Sequence, residues 1–391
     1  GLLIRGLSVA VSFALAWVLV KVLGADDYGM YTYAFSWFYF FGSLSPAGLS
    51  RVLVRETGPY IKVGKQSFAA GLIRFSHRAN FLISLILSLL FIGFVYFFVS
   101  PEKQALQTAL FIAGAGIPVY GQLFISKSLL NAVKKIELSL IPKEIRLHTA
   151  IWINVAAFTG ALVLSFFFVV RNVGHLLRTK PAYETRKWVR PASAFFLLSL
   201  ISIINTRGDI LILGLFGFTE STGIYNIAAK LANVIAIPMM LSNLILAPYI
   251  SEFFKDDKRE LIRIIKKIIR IIFAGGSLVM LIFIFWGNDI LKLFDNEFIA
   301  GYYVLLILGS GQLLNIFVGP VGNILSMTQL EKLTLRGTAG SALINLALNL
   351  SLIPYFGMNG AAAATFTSLI FWNIYLFILT WKRLKINASV I

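Results

Sequence analysis

Charged and amide side chains recur at helical spacing inside otherwise apolar stretches, and these are the residues able to do chemistry. Asn226, Lys230 and Asn233 fall at i, i+4 and i+7, one face of a helix. An ammonium between two amides can hold an anion in a hydrated cavity, or it can tie neighbouring helices together by hydrogen bonds. Arg207 and Asp209 are two positions apart, roughly 200° around a helix, so they cannot simply pair with each other. Asn205 shares the face of Asp209. Asp209 could bind a coupling cation or proton, or it could neutralise a base on a neighbouring helix, and the structural role is the preferred reading. Gln312, Asn315, Gly319 and Asn323 form a further stripe, broken by Pro320, and Ser341, Asn345 and Asn349 form another. Small polar groups let helices approach closely, so packing is preferred for these amides, with ligand contact as the alternative. Arg5, Ser8 and Ser12 lie at helical spacing near the start, as do Lys127 and Asn131. Lys127 can also snorkel toward a basic face.

Other chemistries find little footing. A charged group within a membrane span costs on the order of 2.5–3.5 kcal/mol on insertion scales, so such groups face protein or water. His77, His148 and His175 are the only histidines and show no metal-ligand spacing. There is no cysteine, hence no disulfide or thiolate site. Neither a phosphate-cradling GxxxxGK[ST] loop nor a GxSxG elbow is present. No cofactor, metal site or catalytic group is therefore assigned.

The elements that position these side chains follow from composition. Of 391 residues, 58% are hydrophobic and 13% charged, against about 25% charged in soluble domains. Continuous apolar runs of roughly 20 residues, long enough to cross a hydrocarbon core as helices, predict spans near 2–23, 30–50, 72–99, 105–133, 149–170, 192–217, 223–250, 268–286, 300–328, 333–354 and 360–381. A β-barrel would show short alternating segments instead. The fold class expected is an all-α polytopic membrane bundle of 11 to 12 helices. The run Leu2 to Leu23 reads as a span, being too long for a signal peptide and lacking a cleavage site.

The formal charge of +18 is concentrated at 51–78, 134–146, 171–190, 255–270, 332–336 and 382–385, while the alternate connectors carry acids such as Asp26, Asp27, Glu102, Asp289 and Asp295. This is the positive-inside pattern. It puts the basic loops and both termini on the cytoplasmic face and excludes nucleic acid as the partner of the basic charge. Segment 255–270 sets Leu261, Ile264, Ile265, Ile268 and Ile269 opposite its charges, and so should lie on that surface. Only one span separates the basic stretches 134–146 and 171–190, whereas a shared face needs an even number of crossings. Either a short tilted helix carries Pro142, Lys143, Glu144 and Arg146, or, as preferred, about fifteen residues of a further crossing are lacking.

The chain also repeats itself. LGADDYGMYTYAFSW around Gly24 matches FGFTESTGIYNIAAK around Gly217, with Tyr28-Gly29-Met30-Tyr31 against Thr222-Gly223-Ile224-Tyr225. At about the same offset Lys65 meets Arg259 and Gly116 meets Gly311. Parallel repeats of this kind occur in secondary transporters. They predict an N-terminal lobe over 1–170, apparently short by about one helix, a basic linker over 171–190 and a C-terminal lobe over 191–391.

Asn205 through Asp209 and Gly214, then TGIYNIAAKLANVIAIPMMLSNLILAPYISE, GQLLNIFVGPVGNILSMTQLEKL and LNLSLIPYFGMNGAAAAT resemble the Wzx-type polysaccharide-biosynthesis flippases of the multidrug/oligosaccharidyl-lipid/polysaccharide exporter superfamily. VLGADDYGMYTYAFSW and GLSRVLVRE resemble its first half. The resemblance covers nearly the whole chain except 138–170, where the family has two helices. It implies a two-lobed bundle in the prokaryotic cytoplasmic membrane that flips a polyprenyl-diphosphate-linked oligosaccharide by alternating access. Lys230 falls where related lipid II flippases carry a cavity arginine, and Arg51 lies near another. The basic residues those relatives place along the first helix are not matched beyond Arg5. In this reading Lys230 binds the diphosphate, and Arg51, Arg5, Lys127 and Arg207 are further substrate-binding residues. Asn226, Asn233, Asp209, Gln312, Asn315 and Asn323 complete the substrate site, and glycosyltransferases or a polymerase are the partners.

Three competing functions make different demands. A cation-coupled small-molecule antiporter of the same superfamily would carry several membrane-embedded carboxylates, where Asp209 is the one found. A membrane sugar polymerase or ligase would carry a large outer loop bearing Arg or His, whereas the outward connectors are short. A scaffolding role would need no hydrated cavity. The charge pattern predicts that Lys180→Cys escapes a membrane-impermeant thiol reagent added outside intact cells, and strong outside labelling would reverse the orientation.

Overall fold

The computed structural model describes residues 2–132, 149–256 and 258–390. Its elements are α1 (Leu2–Leu44), α2 (Leu49–Lys62), α3 (Gln66–Phe98), α4 (Gln104–Ala132), α5 (Thr149–Arg178), α6 (Thr185–Leu215), α7 (Thr219–Ala232), α8 (Ile237–Asp256), α9 (Lys258–Lys292), α10 (Tyr302–Val318), α11 (Val321–Met327) and α12 (Glu331–Leu384). Short 3-10 turns at Pro101–Lys103 and Asn296–Gly301 precede α4 and α10. No strand occurs among the described residues. The parity question over 134–146 falls on residues outside those described, as does His148.

Helix α3 shows which solvent the chain is built for. Phe81, Leu82, Leu85, Ile86, Leu89, Leu90 and Phe97 are exposed along one face, Phe97 by 79%. The opposite face carries Ser76, Asn80, Ser84 and Ser88 at i+4 intervals, all buried. Ser88 donates to the carbonyl of Gly114 on α4, and Asn80 accepts from Ser45. Apolar residues outward and small polar residues at the helix contact are the arrangement of a membrane bundle.

Seven described helices are long and apolar enough to cross a membrane, and α7 with the start of α8, bent by 55°, makes an eighth span. The eleven spans read from sequence are redistributed for physical reasons. Spans 333–354 and 360–381 are the two arms of α12, which reverses at Gly357 (φ 53°, ψ −132°). The arms then run side by side, with Ser341 donating to the Ser368 carbonyl and Trp372 to Thr338. Span 223–250 is broken between α7 and α8, and span 300–328 is broken at Gly319, which has φ 86°. Segment 258–270 is not a separate surface helix. Nothing interrupts it, so it forms the first turns of the 35-residue α9, and Leu261, Ile265 and Ile269 are fully buried in protein.

The chain forms two compact units. One holds residues 30–203 with 3–12, and the other holds 13–29 with 204–391. In the first, α2 to α5 and the start of α6 enclose Leu53, Leu72, Ile73, Leu129, Leu176 and Trp188. The two basic stretches 51–78 and 171–190 meet at one end of this unit. Arg74 donates to the carbonyls of Leu177 and Thr179, the Ala182 amide to the Ser67 carbonyl, and Tyr60 to Glu184. The ammonium of Lys187, bonded to Glu184 at 2.5 Å, holds that carboxyl below its usual range, and Tyr60 acts in the same direction. The stabilisation this provides is present above the ordinary carboxylate range and fades as pH falls through the depressed value.

In the second unit the two copies of the repeated motif touch. Gly223 approaches the backbone of Gly29 and Ala25 so closely that an added Cβ would lie 2.9 Å from the Gly29 nitrogen, and a Cβ on Gly29 would lie 2.0 Å from the Thr219 carbonyl oxygen. Thr219 donates to Asp26 and Asn226 to Tyr28 beside this contact. Gly29→Ala should therefore destabilise by about 1–3 kcal/mol, read as thermal unfolding of the purified protein. Gly93→Ala and Gly275→Ala, with open space around them, should be neutral or slightly stabilising. Equal behaviour of all three would remove the steric argument.

Candidate substrate site

In the first unit, α1 ends at Leu44 and α2 starts at Leu49, joined by Ser45-Pro46-Ala47-Gly48. Pro46 has no N–H to continue the helix, and Ala47 and Gly48 take positive φ values of 48° and 80°. Glycine is required at position 48, since a Cβ there would sit 2.0 Å from the Ala192 carbonyl oxygen on α6. No side chain caps α2, but the Leu49, Arg51 and Val52 amides already donate to the carbonyls of Pro46 and Gly48, so this end offers the positive end of the helix dipole rather than a set of free donors.

One turn on, Arg51 and Arg55 set their guanidinium carbons 5.9 and 5.5 Å from the centroid of the Phe195 ring. They border a cavity of about 390 Å³ whose walls include Tyr39, Ser43, Ser50, Phe124, Ser128, Ser199 and Ser202. Arg55 pairs with Glu56 at 2.7 Å. Arg51 forms no ion pair among the described residues. Ser43 is buried, and its hydroxyl has no hydrogen-bond partner. Two cations, an uncapped helix start and a row of hydroxyls suit an anion carrying hydroxyl groups. Of this constellation the sequence singled out Arg51 alone. The serines come from four helices, only Ser199 and Ser202 on α6 sharing a helical spacing, although Arg51 and Arg55 do lie at i, i+4.

The polar side chains of the second unit are arranged differently. Asp209 accepts from Tyr225 at 2.5 Å, Thr365 at 2.7 Å and Asn349 at 2.8 Å, and Asn345 bonds both Asn349 and Thr365. These groups join α6, α7 and both arms of α12. The Ser341, Asn345 and Asn349 stripe is thus spent on contacts between helices.

Lys230 is half-buried in the last turn of α7, with its charge favourable to the helix dipole. The three-residue face predicted around it divides. Asn226 is buried and donates to Tyr28 at 2.9 Å, whereas Asn233, the C-cap whose amide still bonds the Ala229 carbonyl, is exposed and accepts from Gln312 at 3.0 Å. Asn323 donates to the Asn243 carbonyl at 2.8 Å. Asn315, Arg207 and Lys127 are half-buried on α10, α6 and α4. The expectations for Arg5 and Ser8 fall on residues whose side chains are not described. His77 bonds Gln122 at 2.9 Å, and no group of three His, Cys, Asp or Glu suited to a metal occurs among the described residues.

A family model described as polysaccharide biosynthesis protein matches residues 18–294. The chain belongs to this family. Among curated proteins it is similar to the "Probable low-salt glycan biosynthesis flippase Agl15" of Haloferax volcanii, 29% identical over 203 residues. That match covers 48% of this chain and 40% of the relative, so the chain matches less than half the length of that protein. The fold is shared with a multidrug resistance MATE family transporter of the MOP superfamily solved in an inward-facing conformation, at TM-score 0.78 and 12% identity over 95% of this chain and 94% of that one. It is also shared with the lipid II flippase MurJ in an inward closed conformation, at TM-score 0.63 and 16% identity over 95% and 87%. The family member is therefore a multi-pass membrane protein of the MOP fold, and the relatives are transporters and flippases by name.

Removing the Asp209 carboxylate strands three donors, each costing about 1–3 kcal/mol when unsatisfied. Asp209→Ala should lower the thermal stability of the purified protein and its level in the membrane. Wild-type stability with transport lost would instead make Asp209 a coupling group.

Proposed function

We propose that the protein translocates a polyprenyl-diphosphate-linked oligosaccharide across the prokaryotic cytoplasmic membrane by alternating access, in the building of a surface glycan. The observation that carries this reading is the Arg51–Arg55 cavity, which pairs two guanidinium groups with serine hydroxyls. The diphosphate would take the Arg51 guanidinium at the positive end of the α2 dipole, a charge-assisted arrangement. The serines, each able to donate and accept, would face the first sugars. Lys230, in the second unit, would be a further phosphate-binding cation. Glycosyltransferases or a polymerase would be its functional partners, making and consuming the lipid-linked sugar.

The membership in a polysaccharide-biosynthesis family and the glycan flippase among its relatives support this substrate class. An antiporter for organic cations, the class of the MATE neighbour by name, is the second reading. The electrostatics of the described cavity oppose it, because Arg51, with no carboxylate partner among the described residues, repels a cationic substrate.

A charge-assisted contact of this kind is worth about 1.5–3 kcal/mol, so Arg51→Ala should weaken substrate affinity tenfold or more. Lys230→Ala should likewise reduce glycan export at unchanged protein level, while Lys230→Arg should retain much of it, since phosphate accepts either cation. Complementation of a flippase-deficient strain, with export normalised to membrane protein, reads both effects. Normal export from well-expressed Arg51→Ala and Lys230→Ala proteins would rule out the two charges as required ligands.

A further inference from the structure

Helix α9 is 35 residues long, about 52 Å at 1.5 Å per residue, and so exceeds a hydrocarbon core of about 30 Å. Its uncharged part is 271–288, and no acidic residue occurs from Leu261 to Asn288. The excess length lies at the N-terminal end, where Arg263, Lys266, Lys267 and Arg270 follow one another. Each of these four is three or four positions from two of the others, so they form one compact patch of neighbouring side chains on the helix surface. Arg263, Lys267 and Arg270 are exposed and Lys266 is half-buried.

Local electrostatics oppose this arrangement. Like charges at i, i+4 repel. Within the helix only Glu260 offsets them, paired with Arg263 at 2.5 Å. Lys266 and Lys267 make no hydrogen bond or ion pair among the described residues. The helix cannot roll to disperse the charge, because Leu261, Ile265 and Ile269 on its other side are fully buried. Arg270 is pinned further by its Nε donating to the Val390 carbonyl at 3.0 Å. The patch is thus a rigid display of cations that begins at the residue where the uncharged span ends. A headgroup layer adds about 5–8 Å on each side of the core, and Arg270, Lys267 and Lys266 fall within that depth of the end of the span.

We propose that Lys266, Lys267 and Arg270, with Arg263 one turn above, form a binding site for the phosphate headgroup of an anionic phospholipid of the surrounding bilayer. The lipid phosphate supplies the counter-charge that the helix lacks, and its acyl chains lie along the exposed apolar flank of α9 marked by Ile271 and Leu278. Such a lipid holds the start of α9 at a fixed depth.

The test titrates the detergent-purified full chain with phosphatidylglycerol or phosphatidylcholine and reads bound lipid by native mass spectrometry. Wild type should bind phosphatidylglycerol preferentially. Lys266→Gln with Lys267→Gln should weaken that binding roughly thirtyfold, at the value of one charge near an anionic surface for each lysine. Phosphatidylcholine binding should not change, and Lys266→Arg with Lys267→Arg should bind as wild type does. If the double glutamine variant expresses poorly, Lys267→Gln alone, at an exposed position, should show a loss of roughly fivefold. Removal of Lys103 and Lys292 by glutamine should have no effect. Equal phosphatidylglycerol binding by wild type and glutamine variants overturns the site. Displacement of the lipid by inorganic phosphate would assign the patch to a soluble anion and overturn the lipid reading as well.

Discussion

No water is available in a hydrocarbon core, so every peptide group freed by a break in a helix must find its partner inside the protein. The polar architecture of this chain is organised around such breaks. At 45–48 the amides of Ser45, Ala47 and Leu49 bond the carbonyls of Phe41, Leu44 and Pro46. At 233–236 a series of i to i+3 bonds, from Val234 to Leu231 through Ile237 to Val234, carries the chain through the bend between α7 and α8. At Gly319 the chain is closed from outside the helix. The Val390 amide caps the Phe317 carbonyl, and the buried Ile386 and Ala388 lie in the same tail segment. Broken helices inside a membrane are tolerated where they are buried in protein or line a cavity. Arg51 and Asn233 both stand beside one.

Polar groups near these breaks differ in whether their bonding capacity is already used. Asp209 has three donors and sits at a junction of three helices, so its energy goes into holding α6, α7 and α12 in register. Asn226 and Asn323 are likewise committed to neighbours. The cavity at α2 retains capacity, since Ser43 is unpartnered and Arg51 lacks a carboxylate. Thr57, Ser76 and Ser165 also have buried hydroxyls without a partner, so Arg51 is the group that sets this cavity apart. The functional reading rests on this contrast between committed and uncommitted polar groups.

Much of this was legible in the sequence and some was not, for separable reasons. The apolar runs show the solvent directly, because the length and continuity of a span are properties of single segments. The landmarks Gly29 and Gly223 could be found by self-comparison, and both are glycine because backbone meets backbone there. The face from Asn226 through Lys230 to Asn233 was legible as helical spacing, which Asn233 keeps as the C-cap of α7. Periodicity does not carry the partner of each amide, Tyr28 for Asn226 and Gln312 for Asn233. For segment 258–270 the amphipathic pattern was correct while its burial partner was not, since an apolar face does not state whether lipid or protein will cover it. The serines of the α2 cavity were invisible, because five common residues spread over four helices carry little local signal until the fold brings them together.

The central claim is that the chain moves a lipid whose headgroup is a sugar-bearing diphosphate. Reconstitution of the purified protein into vesicles, with a fluorescent polyprenyl-diphosphate-linked oligosaccharide in the membrane, measures this directly as the fraction of sugar reaching the opposite leaflet over time. The account predicts protein-dependent translocation that excess unlabelled lipid-linked diphosphate sugar suppresses and an organic cation does not. Protein-dependent flux of the organic cation, with no movement of the lipid-linked sugar, would contradict it.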